Sequence, residues 1–379
     1  MHIGLFVKDF AVGKKFSKDG LPTKSGAEFH AENHAKQLIK RGNEVTIFAK
    51  KRYRFTKVRE NIDGIDLVRL HAPFRWLEII IRFVTTHKSL NAIYILGTPK
   101  FAVWAVLLAR LFNIPTTLAL TGKAEIFDKN KNWRNKIFAQ CTRYIALSNE
   151  IKKGFIDLAG IKAEYINVLP QGINTKKFVI PTSEEKKKAR LQYGIDENEL
   201  VLLFCARVVM NKGIDTIIKV WPVVHKKFPT AKFVVVGGGQ TELIDEITEM
   251  GKQNNNSVLV IGEVDNPLPY YQISDVYIFP SRHEGLPTTL MEAMSCGLTP
   301  VVSDIGGCED LVENGVSGYR VQTENVSGYV EKIVELFENE KKRKDMGKKA
   351  ANFVRENCDY GSVIWKLEKI VEGGNKSDS

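Results

Sequence analysis

Pro280 to Gly297 reads PSRHEGLPTTLMEAMSCG and sets two carboxylates, Glu284 and Glu292, with seven residues between them. Ser281 to Gly285 is rich in turn formers, and Pro287 suits a first helical position. Thr288 to Cys296 then keeps helical propensity until Gly297 supplies a stop. The run just before, Asp275 to Pro280 (DVYIFP), reads as a short buried strand. The unit is therefore strand, loop, helix, with Glu284 ahead of the helix and Glu292 about one and a half turns inside it. In an open α/β sheet such a loop lies at the carboxyl end of a strand, where free amides of a helix N-terminus meet an anion. The stretch predicts a phosphate seat with an acid on each side.

Outward from it, short β-type runs alternate with helical stretches. His2 to Val7, Glu44 to Ala49, Ile65 to Leu70, Ala92 to Leu96, Pro115 to Leu120, Arg143 to Leu147 and Tyr165 to Leu169 are mostly continuous apolar segments. Strands covered by helices on both faces have that pattern, which predicts a parallel, doubly wound half. A polar stretch from Lys176 to Asn198 reads as a linker and a solvated helix. Strands resume at Leu200 to Ala206, Ala231 to Val236, Ser257 to Ile261, Asp275 to Phe279 and Pro300 to Ser303. The second half repeats the architecture of the first.

Length and composition agree with this division. The chain has 379 residues, enough for two domains, with 44% apolar and 26% charged residues. Its formal charge of +11 favours anionic partners and leaves nucleotide, lipid and nucleic acid open. Five scattered cysteines without a C-x-x-C pair give neither a disulfide framework nor a cysteine zinc site, which points to a reduced, cytoplasmic chain. No window is long enough to span a bilayer and Met1 to Val7 is too short for a signal peptide, so any membrane contact is expected from the inner surface.

Several local features admit two readings. Ser25-Gly26 opens a helix in which Ala27, Ala31, Ala35 and Leu38 share a face; it is either a cap or a phosphate seat. His30 and His34 make half of a zinc site or pack on the sheet. Arg75 to Lys88 (RWLEIIIRFVTTHK) and Lys129 to Lys136 (KNKNWRNK, holding Trp133) suit an anionic bilayer, or a core-facing helix and a solvated loop. Arg207 lies just past a strand with Lys212 five residues on, either two cations that would clamp a diphosphate opposite the Glu284 loop or a surface pair in a loop. Gly237 to Gly239 form a permissive turn and no more.

At this point the chain resembles the retaining glycosyltransferases of family 4 (glycosyl transferases group 1). Their fold is GT-B, an α/β class in which two Rossmann-like doubly wound parallel-sheet domains face an inter-domain cleft. The resemblance rests on SGAE at Ser25 to Glu28, IALS at Ile145 to Ser148, LPQGIN at Leu169 to Asn174, ARVVMNKG at Ala206 to Gly213, HEGLPTTLMEAMSCG at His283 to Gly297, and VVSDIGGCEDLVENGVSGYRV at Val301 to Val321. It implies an acceptor-side domain over 1–178, a nucleotide-sugar domain over 179–355, and a helix in 356–379 that crosses back, with a loose tail.

The resemblance also implies roles. Arg207 and Lys212 hold the donor diphosphate, Glu284 contacts the transferred sugar, and amides near Leu286, Thr288 and Thr289 receive phosphate oxygens. Glu292 bonds the ribose, Gly26 approaches the donor phosphates, and the base packs near Gly262 to Val264. Members usually need no protein nucleophile, and with no Asp-x-Asp pair in the sequence no metal is implied and no cofactor beyond the donor. The sequence departs at Ser25, and at Lys123, which stands where many members carry a histidine and becomes a candidate sugar or acceptor contact. The expected reaction moves a sugar from a UDP- or GDP-sugar to a glycan or lipid-linked acceptor in surface polysaccharide or lipopolysaccharide synthesis, with peripheral contact to an anionic membrane. The alternatives are a nucleotide-sugar epimerase of the same fold and a non-catalytic basic protein binding nucleotide or nucleic acid. No clustered aromatics on a basic face support nucleic acid.

Overall fold

The computed structural model describes residues 1–10, 26–50, 57–71, 75–86, 89–120, 128 and 132–373. Two units form: Met1–Gln171 with Tyr360–Ser379, and Gly172–Asp359. The division falls earlier than the one read from the sequence, for a local reason. Ile173 N–H donates to Cys358 O at 2.8 Å, Thr175 Oγ1 bonds the Asp359 carboxylate, and Ser295 Oγ donates to Phe178 O at 2.6 Å. Those contacts tie the segment after Gln171 into the second unit.

The first unit runs β1 (His2–Phe6), α1 (Gly26–Lys40), β2 (Glu44–Lys50), β3 (Arg59–Ile62), β4 (Ile65–Leu70), α2 (Arg75–Thr86), β5 (Ala92–Leu96), α3 (Ala102–Leu111), β6 (Thr116–Leu120), α4 (Trp133–Phe138), β7 (Arg143–Ala146), α5 (Asn149–Ala159) and β8 (Ile166–Val168). Its sheet has the order β3-β4-β2-β1-β5-β6-β7-β8 and is parallel except for β3, an edge hairpin on β4. β1, β5 and β6 are apolar and almost wholly buried, as strands with cover on both faces must be. Ala31, Ala35 and Leu38 of α1 pack on them beside Val363, Ile364, Leu367 and Val371 of the chain's last helix (Tyr360–Val371). His30 and His34 belong to that packing. The His34 ring bonds Gln171 O at 3.1 Å and the Tyr94 hydroxyl at 3.2 Å. Burial pushes the two imidazoles down to about 3 and about 4, so both stay neutral.

The second unit runs α6 (Ser183–Gln192), β9 (Val201–Cys205), α7 (Ile214–Lys227), β10 (Lys232–Val236), α8 (Thr241–Gln253), β11 (Val258–Gly262), α9 (Leu268–Ile273), β12 (Val276–Phe279), α10 (Thr288–Ser295), β13 (Thr299–Ser303), α11 (Gly306–Glu309), β14 (Tyr319–Val321), α12 (Val326–Glu338) and α13 (Glu340–Asn357). All six strands are parallel, in the order β11-β10-β9-β12-β13-β14. β9 (VLLFC) and β12 (VYIF) lie side by side at the centre, Val276 opposite Leu202 and Tyr277 opposite Leu203. From β9 the chain winds outward through β10 and β11; from β12 it winds the other way. That reversal makes the β9/β12 edge the topological switch point, where open α/β sheets bind ligands.

Candidate active site

The loops leaving β9 and β12 meet at this switch point. Residues Met210–Lys212 form a short 3-10 turn that Gly213 ends at φ +74°. A Cβ on Gly213 would stand 2.0 Å from Pro280 O, so only glycine lets the start of α7 lie against the end of β12. The close approach delivers Lys212 to Glu284. Nζ forms an ion pair with Glu284 Oε1, the side chains being 16% and 11% exposed. Ser281, fully buried, donates from Oγ to the same carboxylate oxygen at 2.6 Å. Gly307 of α11 supports the loop from behind: a Cβ there would meet the carbonyls of Gly285 and Glu284 at 2.7 and 2.9 Å.

Arg282 fastens the two loops together. Its N–H donates to Asn211 O at 3.0 Å, its guanidinium reaches the Asp215 carboxylate at 3.0 and 2.7 Å and Glu324 at 2.7 Å, and it also bonds Met210 O. Arg282 holds the Asp215 carboxyl below the ordinary carboxylate range. Arg282 and Asp215 could not be read from the sequence, because their partners lie on another strand's loop.

α10 begins at Thr288 rather than at Pro287. Pro287 has ψ 112°, an extended value, and takes the N-cap position, where it has no side-chain acceptor to offer. The first intrahelical bond is Met291 N–H to Pro287 O at 3.3 Å, so the amides of Thr288, Thr289 and Leu290 precede the helix's own ladder. The Thr289 hydroxyl is engaged, 2.9 Å from the Tyr277 hydroxyl, which in turn donates to Cys205 O at 3.1 Å. What Thr289 offers a ligand is its backbone amide. Leu286, 7% exposed, closes the loop against the core.

Glu292 is buried in the second turn of α10 and accepts from the Tyr271 hydroxyl at 2.9 Å. Burial pushes its carboxyl up to about 7 in spite of that hydrogen bond and of Lys177 nearby. Tyr271, from α9, is a further site residue that only the structure reveals.

The remaining candidates divide. Arg207 follows β9, is exposed, and forms no ion pair among the described residues, whereas Lys212 pairs with Glu284. Gly237 and Gly239 prolong the sheet rather than make a turn for a ligand. Val208 N–H donates to Gly238 O and Gln240 N–H to Val208 O, both at 2.9 Å, and a Cβ at Gly237 or Gly239 would fall 1.9 or 2.0 Å from a carbonyl of the Ala206–Val208 segment. Gly262 ends β11 at φ +82°, with half-buried Val264 two residues beyond. Gly26 opens α1 in the first unit. Ser25, Lys123 and the loop before α1 lie outside the described residues, as do Lys88, residues 129–131 and the tail beyond Gly373.

Comparison with known proteins decides the family. The model described as Glycosyltransferase Family 4 matches residues 24–177 and that for Glycosyl transferases group 1 matches 185–353. The chain belongs to glycosyltransferase family 4. The enzyme is 29% identical over 294 residues to the N,N'-diacetylbacillosaminyl-diphospho-undecaprenol alpha-1,3-N-acetylgalactosaminyltransferase of Campylobacter jejuni, covering 74% of this chain and 77% of that one. It is 26% identical over 316 residues to the capsular polysaccharide biosynthesis glycosyltransferase CapM of Staphylococcus aureus, 80% and 82% of the two chains. Among solved structures, Anabaena HepE in complex with UDP superposes with a TM-score of 0.80 at 19% identity, covering 98% of this glycosyltransferase and 99% of HepE. The fold is therefore GT-B, with one parallel-sheet α/β unit for each half.

Proposed function

We propose that the enzyme transfers a sugar, with retention, from a UDP- or GDP-sugar to a hydroxyl of a lipid-linked or polysaccharide acceptor. The carrying observation is the Lys212–Glu284 pair beside the N-terminus of α10 at the switch point. A diphosphate seated there meets Lys212, exposed Arg207 and the helix N-terminus, which neutralise charge as it leaves. The C1–O bond to phosphate breaks with its electron pair going to the diphosphate. The acceptor oxygen bonds C1 on the same face, and its proton passes to a diphosphate oxygen. Positioning and charge stabilisation then suffice, with no protein nucleophile and no divalent metal invoked. Glu284 aligns the sugar and Glu292 accepts from the ribose hydroxyls. The name of the Campylobacter relative, a lipid-diphosphate saccharide acceptor, and that of CapM, a capsular polysaccharide enzyme, support the acceptor class.

A thermal-shift panel of nucleotides and nucleotide sugars, repeated with EDTA, tests this. Ligand at 100 times its Kd adds about 2.7 kcal/mol to the folded state. One base should raise the melting temperature and the others should not. No shift with any nucleoside diphosphate, or release of an epimerised nucleotide sugar without acceptor, overturns the assignment.

The same reading includes a peripheral contact with an anionic bilayer. Among the described residues no helix is long and apolar enough to cross a membrane. Leu77 and Ile81 are exposed on α2, Leu107 and Leu111 on α3, and Trp133 at the start of α4; α2 packs on α3 and α3 on α4. Residues four apart share a helix face, so these form apolar stripes, with exposed Lys136 on α4. Leu111→Ser with Trp133→Ser should weaken flotation on phosphatidylglycerol vesicles by about a hundredfold or more, since burying each leucine-sized or larger side chain stabilises by roughly 1.5–3 kcal/mol. Unchanged flotation removes the contact.

A further inference from the structure

A cavity of ≈ 800 Å³ opens in the second unit at the edge where β9, β12 and β13 begin. Because the strands are parallel, this is the opposite edge of the sheet from Lys212 and Glu284. Asp275 lies at its floor, just ahead of β12, and its carboxylate accepts from Lys186 Nζ at 2.7 Å, the Arg190 guanidinium at 2.7 Å and Val201 N–H at 2.8 Å. Arg190 spends its other donors on the backbone carbonyls of Ile273, Glu197 and Glu199. α13 closes the opposite wall. Gly347 holds the helix there, since a Cβ on it would stand 2.1 Å from Gly297 O.

The charges around this cavity do not balance. Each glutamate that lines it already has a lysine of its own: Glu197 with Lys187 at 2.7 Å, Glu199 with Lys232 at 3.8 Å, Glu338 with Lys227 at 2.5 Å and Glu340 with Lys344 at 2.6 Å. Asp275 serves two cations at once. Two more cations on α13 line the same space without a direct ion pair among the described residues, Arg343 sharing Asp275 and Glu340 with other cations. Arg343, only 8% exposed, donates to Leu336 O at 2.7 Å and forms no ion pair among the described residues. Lys348 stands at the rim, likewise without an ion pair among the described residues. Arg343 shares the fields of Asp275 and Glu340 with Lys186, Arg190 and Lys344, so cations outnumber acids around the cavity, and a phosphate matches the fork geometry of the guanidinium.

We propose that this cavity is a second anion site, which takes a phosphorylated small molecule with its phosphate on Arg343 and Lys348. The volume exceeds that of a phosphate alone, so the rest of the ligand occupies the space between α6 and α13. This site goes beyond the transfer reaction, and the charges around it are the same whichever donor the enzyme uses.

Pyrophosphate serves as the probe, titrated calorimetrically into the full chain. Lys212→Ala removes a cation of the donor site, and binding that persists in it reports the cavity. Adding Lys348→Ala, an exposed position, or Arg343→Gln, which keeps a donor for Leu336 O, should each weaken that persistent binding about tenfold or more, the scale of a hydrogen bond to a charged group. If Lys212→Ala abolishes all pyrophosphate binding, or if neither α13 substitution weakens what remains, the cavity site does not exist. A loss in Arg343→Gln that accompanies a lowered melting temperature counts only if Lys348→Ala, with its melting temperature unchanged, shows the same loss; otherwise the proposal fails.

Discussion

Lys212→Ala is expected to lower turnover at saturating donor by about two to three orders of magnitude, the usual consequence of removing one preorganised stabiliser of transition-state charge. The ammonium is held where it acts by two features that the substitution leaves intact. Gly213 brings the start of α7 onto the end of β12, and Arg282 locks the 210–211 turn to the loop after β12 through Asp215 and Asn211. The loss of rate is therefore chemical, and because the mostly buried Glu284 carboxylate is left without its counter-charge, a lower melting temperature should accompany it. Glu284 shares the ammonium and keeps only the Ser281 hydroxyl when it goes, so the carboxylate that aligns the sugar is disturbed as well. For that reason Lys212→Ala and Glu284→Gln together should cost much less than the product of their separate effects, as expected of groups that act as a unit. Arg207→Ala, at an exposed position without an ion pair among the described residues, should cost less than Lys212→Ala. Near-normal turnover in Lys212→Ala would remove the diphosphate from this loop and with it the assigned chemistry.

How much of this was legible in the sequence depended on whether a feature was local. β5, β9 and β12 are continuous apolar runs because helices cover both their faces, and that pattern needs no tertiary knowledge to read. β3 (RENI) is a polar edge strand and β14 (YRV) has three residues; neither has a period to detect. The two acids of the 280–297 stretch were visible as a spacing, and the structure gives them different surroundings: Glu284 in an ion pair, Glu292 in an apolar pocket with a tyrosine. Spacing alone cannot distinguish those environments, because Lys212 and Tyr271 come from other loops and helices. Gly213 and Gly307 were in plain view inside recognised motifs, but their purpose lies in carbonyls of a distant segment. The surroundings of Arg207 and Lys212 were hidden for a similar reason. A five-residue interval places two cations at one strand end without showing which of them an acid on the neighbouring strand will claim.

Glu292 gives the second large effect, and its sign follows from burial. The ordinary glutamate value of 4.5 applies to the unfolded chain, and burial in the folded enzyme pushes it up to about 7. The folded state thus binds the proton more tightly than the unfolded state. Stability is fully present below about pH 4.5, declines as pH rises between the two values, and levels off above the folded one, a total loss of about 3 kcal/mol at roughly 1.36 kcal/mol per unit. Urea denaturation of the nucleotide-free enzyme from pH 4.5 to 8 should show this decline in the difference between the unmodified enzyme and Glu292→Gln, which keeps a partner for the Tyr271 hydroxyl; His30 and His34, held neutral by burial, give the opposite slope in both and cancel. Nucleotide binding has the opposite slope. Ribose hydroxyls donate to the ionised carboxylate, so affinity for the cognate nucleoside diphosphate should rise with pH between about 6 and 8 by up to roughly tenfold, the change that one unit of pKa displacement supplies. Glu292→Ala should weaken that affinity and flatten its pH dependence, while Tyr271→Phe, which withdraws a donor from the carboxylate, should move the midpoint upward and leave saturation attainable. Affinity that is independent of pH in the unmodified enzyme, or unchanged for both UDP and GDP in Glu292→Ala, excludes the ribose contact. A midpoint that Tyr271→Phe leaves in place would make the tyrosine a packing residue only.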